Sequence, residues 1–70
     1  MSELITNEEK INIINQHIRN LEFAEYNAYL DLLQANTVSV DIEAIVEIED
    51  RQSKIQMKID ALKLEKEQLL

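Results

Sequence analysis

Cysteine, proline and glycine are all absent from this chain, and each absence removes a class of structure. Without cysteine there is no disulfide staple and no thiolate metal ligand, so stability has to come from packing, and nothing marks an oxidising compartment. Without glycine there is no phosphate-cradling loop, dinucleotide fingerprint or nucleophile elbow, since these motifs depend on backbone conformations that glycine adopts most readily. With proline missing too, the usual punctuation of turns and strands is gone, which predicts long uninterrupted elements. Aromatic residues are few: one Phe, two Tyr and no Trp. No apolar run approaches the roughly 20 residues of a membrane-spanning helix. The first residues, Met1-Ser2-Glu3-Leu4, have neither the basic start nor the apolar core of a signal peptide. The expected location is cytoplasmic, with no membrane association.

What remains is a chain of 70 residues, enough for one small domain spanning 1–70. Hydrophobic residues make up 46% and charged residues 30%, a balance that suits amphipathic helices and is too apolar for disorder. The net charge of −7 argues against direct nucleic-acid binding, which needs phosphates neutralised by clustered Lys and Arg. Anionic membranes are disfavoured for the same reason.

Helical periodicity runs through both halves. Thr6-Asn7-Glu8-Glu9 places a Thr three residues before a Glu, the spacing of a capping box, with acids at the positive end of the helix that follows. From there Ile11, Ile14, Ile18, Leu21, Ala28, Leu32 and Ala35 keep alternating steps of three and four, interrupted only by Glu25. The spacing predicts helix one over about 7–35. The pattern fades at 36–40, where Asn, Thr and Ser cluster, and Asn36 is a candidate for the left-handed position that ends a helix. Ser39 or Asp41 then caps helix two, over about 41–69, whose heptad seam is Ile45, Ile48, Ile55, Ile59, Leu62 and Leu69. Gln52 and Lys66 are polar members of that seam, and Ile42 flanks it.

Two helices of similar length joined by a short connection favour an antiparallel hairpin, so the expected fold is all-α. Residues 41–50 hold five acids and no base, whereas Arg51, Lys54, Lys58, Lys63 and Lys66 follow them. An antiparallel hairpin therefore brings basic residues alongside the acidic start of helix one, and Glu3, Glu8 and Glu9 are expected to face Lys63 and Lys66.

A single seam between two helices is a small core, and the sequence holds apolar residues beyond it. Phe23, Tyr26, Leu30 and Leu33 form a second run spaced 3, 4, 3 on the far side of helix one, joined near the turn by Val38, Val40 and Val46. These residues predict an apolar closed end and a mostly charged open end. Such a surface favours association. The expectation is a homodimer, two hairpins forming a four-helix bundle, with Phe23, Tyr26, Leu30, Leu33, Val38 and Val46 as the interaction surface. Two other readings remain: an adaptor or inhibitor that inserts the same run into another protein, and an acidic decoy of a nucleic-acid-binding protein built on Asp41, Glu43, Glu47, Glu49 and Asp50.

Catalytic and metal-binding patterns are weak. His17 is the only histidine, and Lys10, Ile13, Ile14 and Leu21 on its helical face include no acid to orient it. Glu43, Glu47 and Asp50 share a face, but a rigid helix seldom wraps a hard cation with enough oxygens. Glu22 and Glu25 stand three apart with nothing in the sequence to enclose them. Tyr26 and Tyr29 have Glu22, Glu25 and Asp31 for neighbours instead of the basic residues that accompany base stacking, and read as interface aromatics with polar tips. A non-enzymatic interaction module, without cofactor or metal, is the expected function.

Overall fold

The computed structural model describes residues 4–37 and 40–70. Two helices, α1 (Asn7–Thr37) and α2 (Ile42–Leu69), pack against each other as an antiparallel all-α hairpin. No strand occurs among the described residues. At 1.5 Å per residue α1 extends about 46 Å and α2 about 42 Å, so they are matched along nearly their whole length.

Each helix starts on a built cap. The Thr6 amide donates to Glu9 Oε1 at 2.8 Å and the Glu9 amide donates back to Thr6 Oγ1 at 3.1 Å, the reciprocal pair of a capping box. At α2, Asp41 has extended backbone angles and its carboxylate accepts from the Ala44 amide at 3.1 Å. Asp41 therefore serves as the cap, while Ser39 lies outside the described residues, as do Glu3 and Val38.

The end of α1 departs from expectation. No described residue has a positive φ, and Asn36 is helical. Its Nδ2 donates to the Leu32 carbonyl at 3.1 Å, and Thr37 Oγ1 donates to the Leu33 carbonyl at 2.7 Å. Bonding back to carbonyls four residues earlier, these side chains accompany the helix to Thr37, two residues beyond the expected end.

Every seam position of both helices is buried or half-buried. Ile14, Ala28, Ile48, Ile55 and Ile59 are buried, and Ile11, Ile18, Leu21, Leu32, Ala35, Ile45, Leu62 and Leu69 are half-buried. The polar members Glu25, Gln52 and Lys66 are half-buried as well. Ile42 is 71% exposed, well off the seam. The expected pairing of Glu8 and Glu9 with Lys63 and Lys66 is not formed among the described residues. The one ion pair between helices there is Arg51 with Asp31, near the closed end. Glu9 is engaged in its own cap, and an exposed ion pair is worth too little, about 0–1 kcal/mol, to draw it away.

The result is a rod with a thin core. It measures 53 × 16 × 14 Å with a radius of gyration of 16.2 Å, where a compact domain of this length has about 11 Å. Of the five residues buried among those described, only Ala28 is completely covered.

Candidate interaction surface

The two flanks of the hairpin differ in chemistry. In heptad terms Ile11, Ile18, Glu25 and Leu32 occupy position a of α1, and Ile45, Gln52, Ile59 and Lys66 occupy position a of α2. Antiparallel pairing then sets g opposite g on one flank and e opposite e on the other. Asp31 and Arg51 both fall at g, and their contact at 3.0 Å marks the g flank.

On the e flank an open groove runs between the helices, walled by Arg19, Glu22, Glu25, Tyr26 and Tyr29 from α1 and Gln52, Ser53 and Gln56 from α2. The rings of Tyr26 and Tyr29 stand 5.9 Å apart, tilted by 31°. One heptad further toward the closed end, Leu33 repeats the position of Tyr26 and Val46 that of Ser53, and Ile42 lies two heptads from Gln56. The polar groove thus gives way to an apolar surface drawn from both helices.

Of the sequence-derived interaction residues, Phe23, Tyr26, Leu33 and Val46 are exposed, from 50% at Leu33 to 61% at Tyr26. Leu30 is half-buried and Val38 lies outside the described residues. Tyr26, Leu33 and Val46 share the e flank, whereas Phe23 and Leu30 continue the surface around the back of α1. Ile42 and Tyr29 belong to the same surface; neither was placed in the sequence-derived run, although Tyr29 was read as an interface aromatic. Their signal was the e position of each heptad, which acquires meaning only once the hairpin fixes which flank faces which.

Polar contacts frame this surface without crossing it. The Arg19 guanidinium lies 4.8 Å above the centroid of the Phe23 ring and 3.5 Å from the Glu22 carboxylate. His17 is exposed on the g side, away from the groove. Among the described residues no group of three or more His, Asp or Glu side chains is arranged to hold a metal ion. No helix of the described residues is long and apolar enough to cross a membrane.

The open end is less uniformly charged than its sequence implies. Leu4, Ile5, Ile13 and Leu70 are exposed there, and Ile5, Ile13, Ile14 and Leu69 line a shallow hollow with Lys10 and Glu65.

The chain matches no protein-family model, and comparison with curated proteins and with solved structures found no similar protein.

Proposed function

We propose that this protein is a non-catalytic interaction module that self-associates through the apolar surface at its closed end, with two hairpins packing as four helices. The observation that carries this reading is the joint exposure of Tyr26, Tyr29, Leu33, Ile42 and Val46 on one flank. Five large apolar side chains gathered from two helices exceed the scattered exposure normal for a monomer.

The exposed area of this rod is large enough for a second copy to cover part of it. A compact 8.2 kDa monomer exposes about 4,500 Å², whereas this chain exposes 5579 Å². The excess, about 1,000 Å², is the size of one partner's share of a standard interface, about 800 Å². Tyrosines suit such a surface because a ring can be buried while its hydroxyl stays in water.

Light scattering behind size exclusion, over a wide range of protein concentration, tests the reading. A dimer mass for the native chain is expected, falling to a monomer in the Tyr26→Glu/Leu33→Glu variant with helicity retained. A native monomer throughout the range would overturn self-association and leave the surface free for a different protein.

A further inference from the structure

The exposed residues on the back of α1 extend further than their apolar members. Phe23, Tyr26, Leu30 and Leu33 are continued at the same alternating steps of three and four by Arg19, Gln16 and Asn12 toward the start of the helix and by Thr37 at its end. This is a second heptad seam, about 120° or more around the helix from the one that binds α2. Apart from half-buried Leu30, all its members are exposed. From Asn12 to Thr37, in a chain with 14 acidic residues, this line contains none; the next step back, at the start of the helix, is Glu9, which is held in its own cap.

We infer that α1 of one hairpin pairs antiparallel with α1 of a second copy along this line, resting on the self-association proposed above. The register follows from the residues. Setting Phe23 against the second copy's Leu33 makes Tyr26 meet Leu30 and Arg19 meet Thr37, so all four apolar positions are covered over about 27 Å of helix. Sliding by a heptad in either direction sets apolar members against Gln16 and Arg19 or leaves Phe23 beyond the overlap. On the flank of this pairing Tyr29 meets the second copy's Tyr29 at the two-fold axis, so Tyr26, Tyr29 and Leu33 of the closed-end surface fall in or beside the pairing while Ile42 and Val46 of α2 lie outside it.

Charge decides between antiparallel and parallel. Parallel pairing would stack the two Arg19 guanidinium groups in the seam. It would also bring the two closed ends together, each with Asp41, Glu43, Glu47, Glu49 and Asp50 in a stretch without a base. Antiparallel pairing moves those acidic ends apart and sets each Arg19 against Thr37, at the closed end of the other copy's α1, instead of against a second Arg19.

The native chain has no cysteine, so a single introduced thiol reports without background. Nitroxide labels on Gln16→Cys, beyond the overlap, and, separately, on Asn20→Cys, off the paired line, sit at exposed positions, and circular dichroism confirms that each variant keeps its helices. Pulsed dipolar spectroscopy of each labelled dimer is expected to give separations of about 36 Å at position 16 and about 24 Å at position 20, from 24 and 16 residues of helix. Separations of about 10 Å at both sites, in a species of dimer mass, would overturn the antiparallel arrangement and leave self-association standing. A monomer mass with no dipolar coupling would overturn both.

Discussion

Arg51 on α2 reaches across to Asp31 on α1, its guanidinium donating to the carboxylate at 3.0 Å, and among the described residues this is the one side-chain hydrogen bond between the two helices. Twenty residues apart in sequence, the two groups meet because both stand at g. The contact therefore reads out the alignment of the hairpin and the identity of its flanks.

Its energetic weight is small. Both side chains are about half exposed, so the pair is worth about 0–1 kcal/mol. Arg51→Ala and Asp31→Asn are expected to lower stability by about 1 kcal/mol or less, with a coupling in a double-mutant cycle that shrinks as salt is raised. Urea unfolding followed by circular dichroism measures this. A salt-insensitive coupling above about 2 kcal/mol would mean that the pair is shielded from water.

Stability rests instead on the seam. Ile55→Ala and Ile59→Ala each remove a buried side chain and are expected to cost about 2–4 kcal/mol. Met57, between them in sequence but 67% exposed, is expected to tolerate Ala within about 0.5 kcal/mol. Ile14→Asp or Ile55→Asp, which strand a charge in the core, should unfold the hairpin. Retained helicity in both aspartate variants would overturn the seam.

The caps make a separate prediction, because they act locally. Thr6→Ala and Asp41→Ala are each expected to cost about 0.5–2 kcal/mol. Hydrogen exchange localises the effect: the Ala44 amide, which donates to Asp41, should lose protection in Asp41→Ala and keep it in Asp41→Asn. Equal loss in the Asn variant would show that charge at the helix start, rather than the acceptor oxygen, does the capping.

These outcomes separate what periodicity encodes from what it does not. Both seams were legible because burying one face of a helix forces apolar residues into steps of three and four, and residues such as Ile14 and Ile55 have no alternative way to leave water. Thr6-Glu9 was legible as a local motif that needs no tertiary context. Asn36 was not: it is suited both to a left-handed end and to bonding back along the helix, and four-residue spacing to the Leu32 carbonyl decided the matter. Glu9 was misassigned to Lys63 and Lys66 because charge patterning ranks distant partners without weighing a nearby cap. Ile42 escaped, and Tyr29 was read as an interface aromatic without a place on the surface, because a flank is a property of the pair of helices and of neither alone.

Glu25 and Gln52 supply the last prediction. Each is a polar residue at a seam position, each is half-buried, and both wall the e-flank groove. A leucine at either site would extend the apolar seam, so Glu25→Leu/Gln52→Leu is expected to raise stability by about 1 kcal/mol or more. That gain should come with looser alignment. The native polar residues keep one edge of the seam open to the groove; in the alignment that Asp31 and Arg51 mark, Gln52 lies opposite Ala28, and a slip by a heptad in one direction would set it against Leu21 at a cost, which is how a polar seam residue selects a register. Thermal unfolding measures the first effect. For the second, a disulfide formed from Asp31→Cys and Arg51→Cys should close completely in the native background and incompletely in the leucine variant. A leucine variant that is less stable than the native chain would show that Glu25 and Gln52 stabilise the hairpin directly, and complete closure in both backgrounds would show that the isoleucines alone set the alignment.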